Sequence, residues 1–142
     1  MRLVGINPKG IKFLYNLRTN PEIDKFLTGN PPISFNEHMR FLSSNSDRFW
    51  VLEDGSVYVG YGQIKEEDED TCEVGFVIDP KYQGRGYGKK IVDLICDKAK
   101  EKYKNILLEV KKDNLKAIHI YEKYGFTTYK TDPKILKMKL II

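Results

Sequence analysis

The stretch Gln83-Gly84-Arg85-Gly86-Tyr87-Gly88 carries the strongest chemical signal in this chain. An apolar run, Val74-Gly75-Phe76-Val77-Ile78, precedes it, and a helical pattern from Lys89 to Cys96 follows. Glycines at alternate positions therefore stand between a strand and a helix. Glycine adopts positive φ and lets backbone approach a ligand closely. The start of a helix presents free N–H groups and a partial positive charge, both suited to phosphate. Arg85, Lys89 and Lys90 add full positive charge. Together these residues describe a pyrophosphate-binding turn.

Two familiar phosphate motifs do not fit. A P-loop ends in Gly-Lys-Ser/Thr, whereas Gly88-Lys89 is followed by Lys90, and Gln83 stands where the first glycine belongs. The dinucleotide fingerprint needs Gly-x-Gly-x-x-Gly directly after a strand; here the spacing is Gly-x-Gly-x-Gly, after an intervening turn. The pattern instead resembles the acyl-CoA signature of the GNAT N-acetyltransferases, Gln/Arg-x-x-Gly-x-Gly/Ala. A second segment is similar to that family's other signature: Leu108-Glu109-Val110, then Asn114, Ala117, Tyr121 and Gly125-Phe126. The resemblance runs from Glu73 to Tyr129 and is loose before that. It implies acetyl-CoA as co-substrate and the GNAT fold, an α+β mixed, mostly antiparallel sheet flanked by helices. It implies CoA contacts at Phe76, Val77 and Ile78, at Gln83, Gly84, Arg85, Gly86, Tyr87, Gly88 and Lys89, and at Asn114, Ala117 and Tyr121.

Moving an acetyl group from a thioester to an amine has three requirements. The amine must shed its proton, the carbonyl oxygen must be stabilised, and the leaving thiolate must be protonated. Free alkyl amines have a pKa near ~10, so a base or a desolvating pocket is needed. Backbone N–H groups of the strand before the glycine turn can hold the carbonyl. Tyr121 shares a helix face with Asn114 and Ala117, where its phenol could protonate the sulfur; it could equally be a core aromatic beside Tyr124 and Phe126. Two carboxylates compete as base. Glu109 matches the base of protein N-terminal acetyltransferases in the family. Glu73 matches a position where other members act through water, and it alternates with Cys72, Val74 and Phe76, which would face the packed side. Either glutamate could also be a plain surface residue. His38 falls in a region that shapes the acceptor pocket in this fold; His119 reads as surface or packing.

The elements that must position these groups follow from pattern. Helices are expected over residues 9–19, from Pro21 through Leu27, and from Ser34 to Ser43, with Ser34 as N-cap and Glu37 at the capping-box position. Gly29-Asn30-Pro31-Pro32 reads as a break. Strands are expected at Arg48–Leu52, Val57–Lys65 and Thr71–Asp79, the last two joined by the acidic turn Glu66–Asp70. A helix should run from the glycine turn to Tyr103. A strand at Asn105–Lys111, a helix at Asn114–Tyr124 closed by Gly125, and strands at Phe126–Lys130 and Ile135–Ile142 complete the chain.

With 142 residues, 41% of them hydrophobic, one domain spanning 1–142 is expected. No apolar run approaches the ~20 residues of a membrane span, and the N-terminus lacks a signal peptide's pattern, so a cytoplasmic location is the expectation. Cys72 and Cys96 read as core thiols, and no metal-ligand spacing occurs. The net charge of +4 reads as a solvated lysine-rich helix face, not a nucleic-acid surface.

For the acceptor, Arg18-Thr19-Asn20-Pro21-Glu22-Ile23 and Ile33-Ser34 through His38 resemble a branch holding ribosomal-protein N-terminal acetyltransferases and enzymes that acetylate nucleotide-linked amino sugars. They lie closer to the sugar-nucleotide group. A small-molecule amine is therefore the expected acceptor, with a protein N-terminus as the alternative. Arg18, Arg40 and Arg48 could neutralise a diphosphate, and Phe41 or Trp50 could stack on a base. A catalytically silent CoA-binding module is the reading from another class. A monomer or homodimer fits either.

Overall fold

The computed structural model describes residues 1–27 and 34–142. The expected break at Gly29–Pro32 lies outside them. Seven strands form one sheet: β1 (Arg2–Gly5), β2 (Phe49–Asp54), β3 (Val57–Glu66), β4 (Thr71–Ile78), β5 (Asn105–Lys111), β6 (Thr127–Thr131) and β7 (Ile135–Ile141), in the order β1-β2-β3-β4-β5-β7-β6. All neighbours pair antiparallel except β4 and β5, which run parallel. That pair is short. It holds Thr71↔Asn105, Cys72↔Ile106 and Glu73↔Leu107, after which the strands have no further register partners. The sheet is open from there to the glycine turn.

Helices cover both faces. On one lie α1 (Pro8–Arg18), α2 (Pro21–Asp24) and α3 (Phe35–Asn45); on the other lie α4 (Tyr87–Lys100) and α5 (Leu115–Tyr124). Side chains do the capping at the starts of α1, α2 and α3. Asn7 Oδ1 accepts from Gly10 N at 2.8 Å, Asn20 Oδ1 from Glu22 N at 2.9 Å, and Ser34 Oγ from Glu37 N at 3.1 Å. Two helices end earlier than their patterns suggest, α2 at Asp24 and α4 at Lys100. Beyond α4, Tyr103 turns into the core and donates its hydroxyl to Glu66 at 2.8 Å.

The period-2 alternation of β4 and β5 sorts their side chains between two cores. Cys72, Val74, Ile106, Leu108 and Val110 pack with Ile91, Ile95 and Tyr121 beneath α4 and α5. Val77 joins Leu14, Leu17, Leu42, Phe49 and Tyr61 beneath α1–α3. The centre of the sheet is close-fitting. A Cβ at Gly60 would collide with the Val77 carbonyl oxygen and lie 2.7 Å from Ile78 Cδ1, and a backbone oxygen cannot swing aside as a side-chain tip can. Gly60→Ala should cost about 1–3 kcal/mol of stability, read by urea denaturation, as overpacking does elsewhere; unchanged stability would show that β3 and β4 can move apart freely. Among the described residues, no helix is long and apolar enough to cross a membrane.

Candidate active site

The opening between β4 and β5 leads into a cavity of about 880 Å³. Residues from both faces of the sheet line it, so it passes through the gap. Tyr121, Ala117 and Asn114 contribute from the α5 side; Arg18, Phe41 and Tyr61 contribute from the side of α1–α3. Phe76, Val77 and Ile78 form the β4 wall.

The glycine turn borders this cavity. Gly84 has φ +80° and Gly86 φ +85°, left-handed conformations that disfavour any side chain, and a Cβ at either would meet nothing within 4 Å. Gly86 is the N-cap of α4 and supplies no side-chain acceptor, and no acidic residue occupies the first turn. The leading N–H groups of a 14-residue helix therefore face the opening without a side-chain cap, beside Lys89. A helix end of that kind suits an anion. Gly88 serves packing instead. A Cβ there would lie 3.2 Å from Ile120 Cδ1, so its absence lets α4 approach α5.

The other expected contacts divide. Gln83, Gly84, Gly86, Tyr87, Gly88, Lys89, Asn114, Ala117 and Tyr121 line the cavity. Arg85 does not; its guanidinium lies over the Tyr82 ring at 5.5 Å. The Tyr87 hydroxyl donates to Asp54 at 2.5 Å, and this bond is the main reason its phenol holds its proton more tightly than usual. Asn114 caps α5, its Oδ1 accepting from Ala117 N at 3.4 Å.

Tyr121 is 9% exposed, with its ring 5.6 Å from Phe76 and 6.2 Å from Phe126. Burial, with a smaller contribution from Cys96, pushes its phenol well above its ordinary range, so it is protonated at neutral pH. Tyr124 is tied to Asp97 at 3.0 Å and does not line the cavity.

Glu73 and Glu109 both line the cavity, on the face opposite Cys72, Val74 and Leu108. They differ in company. Glu109 Oε1 lies 3.7 Å from Lys137 Nζ, whereas Glu73 has no ion pair among the described residues. Burial first, then Glu109 and Glu67, raise the Glu73 pKa, against Lys65 and Lys137. A carboxylate that is half-buried, unpaired and reluctant to ionise suits a proton acceptor.

On the α1–α3 side, Arg18 and Arg48 hold their guanidinium carbons 5.3 and 5.1 Å from the Phe41 ring. All three line the cavity, and Arg48 Nε is buried with no hydrogen-bond partner among the described residues. Two other acceptor candidates fall elsewhere. Arg40 is exposed on α3, and Trp50 packs on the opposite core with Lys98 over its ring at 5.3 Å. His38 is also removed from the cavity. It is wholly buried between α1 and α3, its Nε2 3.0 Å from the Ile11 carbonyl oxygen, and burial lowers its pKa. Conversely, His119, which reads from sequence as surface or packing, lines the cavity. So do Lys116 and Tyr61, which no motif singles out. Burial pushes the Tyr61 phenol up to about 12. Of these, Lys116 and His119 could have been found from their places on the helix that follows Asn114. Among the described residues, no group of three or more His, Cys, Asp or Glu is placed to hold a metal.

A mixed sheet parted at its one parallel pair, with a bare helix N-terminus at the opening and a buried phenol across it, defines an acyltransferase of the GNAT class. The model of the acetyltransferase (GNAT) family matches residues 11–126. Acetyltransferase PseH of Campylobacter jejuni (strain 81-176) is 30% identical over 89% of this chain and 83% of its own. Spermidine N(1)-acetyltransferase of Vibrio cholerae is 27% identical over 82% of this chain and 72% of its own. The crystal structure of the Vibrio cholerae spermidine N-acetyltransferase with CoA and spermine superposes with a TM-score of 0.86, at 23% identity, over 98% of this chain and 94% of that one. The chain belongs to the GNAT acetyltransferase family, and it is an acetyl-CoA-dependent N-acetyltransferase.

Proposed function

We propose that this chain, acting as one domain, acetylates the primary amine of an anionic small molecule, with a nucleotide-linked amino sugar as the favoured class. The observation that carries the reading is the meeting of an unpaired carboxylate and a buried phenol, Glu73 and Tyr121, in one cavity through the sheet. Acetyl-CoA would lay its pyrophosphate on the Gly84–Lys89 turn. Its acyl arm would run along the β4 backbone at Phe76, Val77 and Ile78 and past Asn114 and Ala117. Glu73, directly or through one water, takes the proton from the amine. The nitrogen then attacks the thioester carbonyl, the C–N bond forms, the C–S bond breaks, Tyr121 gives its proton to the departing sulfur, and the surplus proton on the new amide nitrogen passes to the Tyr121 phenolate, restoring the phenol. Backbone N–H groups of β4 on the side away from β3 stabilise the oxyanion.

The acceptor assignment draws on the resemblance of the first segments and on Arg18, Phe41 and Arg48. Two guanidinium groups beside an aromatic ring suit a phosphate-bearing acceptor and oppose a polycation. A protein N-terminus is the second reading, favoured by Leu108-Glu109-Val110 and by the place of Glu109 in the cavity lining.

Thiol release from acetyl-CoA against three panels separates these readings: UDP-linked amino sugars, polyamines with other small amines, and N-terminal peptides. The expected result is release with the sugar nucleotides well above the other two. Strong activity on peptides alone would overturn the acceptor and move the base to Glu109. No release with any panel would favour a silent CoA-binding module.

A further inference from the structure

Four side chains on the strands that flank the gap stand in a staggered line, with Glu109 one pleat beyond the β5 residue level with Glu73. Lys65 on β3 is the register partner of Glu73 on β4. Across the gap, Glu109 on β5 lies two residues beyond Leu107, the last residue paired to β4, and its own register partner on β7 is Lys137. The order is therefore lysine, glutamate, glutamate, lysine, and the two acids are the inner pair.

The outer lysines serve the inner acids unequally. Lys137 Nζ reaches Glu109 Oε1 at 3.7 Å, while Lys65 Nζ turns to Glu67 Oε1 at 3.8 Å and leaves Glu73 without an ion pair. Glu109 is thus held by an ion pair, across the gap from a carboxylate that has none among the described residues. Like charges at close quarters disfavour ionisation of the less supported partner.

We infer that Glu109, braced by Lys137, is a positioning residue that acts through Glu73: its fixed negative charge strengthens the hold of Glu73 on a proton taken from the acceptor amine. This rests on the assignment of Glu73 as base. The charged groups that bear on Glu73 are Lys65 and Glu67 from β3 and its turn, Glu109 from β5 and Lys137 from β7. Arg18 and Arg48 line the same cavity from α1 and the turn after α3.

The arrangement has a signature that packing alone would not produce. A base works when deprotonated, so the acid limb of kcat/KM follows the proton affinity of Glu73. Glu109→Gln removes the repelling charge, Glu73 ionises more easily, and the limb moves to lower pH. Lys137→Met removes a positive charge and exposes Glu73 to the full field of Glu109, so the limb moves to higher pH. Each shift should be about 0.5–1 pH unit. Lys137→Arg keeps the charge and should restore the wild-type limb.

The profiles are measured with acetyl-CoA and the amine turned over fastest in the thiol-release panels, the same amine throughout. Opposite shifts in the two variants are the expected result. Shifts of the same sign, or a limb unmoved in both, would overturn the inference while Glu73→Gln still abolishes turnover and so leaves the base in place. If Glu109→Gln abolishes turnover at every pH and Glu73→Gln retains it, the base itself is Glu109, and both readings fall. Should Glu109→Gln fail to fold, Lys137→Met against Lys137→Arg decides.

Discussion

Tyr121→Phe is expected to lower kcat about 10²-fold or more while acetyl-CoA affinity changes little. The substitution removes one oxygen and leaves the ring between Phe76 and Phe126, so the fold and the cavity wall remain. A proton held as tightly as that of Tyr121 would be a poor donor to an ordinary thiolate. The same surroundings act on the sulfur, however. Burial lifts the thiols of Cys72 and Cys96, in the same core cluster, to about 12. A CoA thiolate forming beside that core is destabilised in the same sense, which narrows the gap between donor and acceptor. Transfer then becomes favourable only as the C–S bond breaks. Steady-state kinetics with calorimetric titration of acetyl-CoA checks this, and turnover near wild type would make Tyr121 a packing residue.

Gly86→Glu should abolish acetyl-CoA binding without unfolding the chain. The left-handed backbone there costs an ordinary residue roughly 1–2 kcal/mol, and nothing lies within 4 Å to clash with the new side chain. A carboxylate at a helix N-terminus is itself favourable to the helix, so α4 should persist. The same carboxylate occupies the place and repels the charge of the pyrophosphate. Calorimetry on the variant should show no binding heat while its melting transition stays cooperative and falls by only a few degrees. Unchanged affinity in the folded variant would move the phosphate site away from this turn.

Much of this site was legible because its signals are local. Gly84 and Gly86 declare themselves by type and spacing, and the alternation around Glu73 sets which face of the strand it takes. Features made by distant segments left no such trace. Strand β1 is four residues long, and what makes it a strand is pairing with β2, from Arg2↔Glu53 to Gly5↔Trp50. The side of the sheet that each acceptor candidate reaches also depends on tertiary packing. Arg18 and Arg48 converge on Phe41, but Trp50, adjacent to Phe49 in the chain, necessarily points to the opposite face. His38 presented a polar residue at a helical position, and only the packing of α3 on α1 makes it a core group. The gap itself was invisible, because the patterns of β4 and β5 say nothing about where their pairing stops.

That gap creates two strand edges in the interior of a sheet. An unpaired edge is ordinarily a hazard, because its free N–H and C=O groups template the addition of another chain, and proteins blunt such edges. The outer strand β6 shows one such device, a register shift between Thr128 and Lys130. The inner edges of β4 and β5 have none and need none. They diverge from a closed pairing at Glu73, so a foreign strand would have to enter a narrowing wedge rather than lie alongside. The wedge leaves no even edge for another strand to lie along, and its unpaired backbone donors and acceptors stay open to a slender, extended molecule.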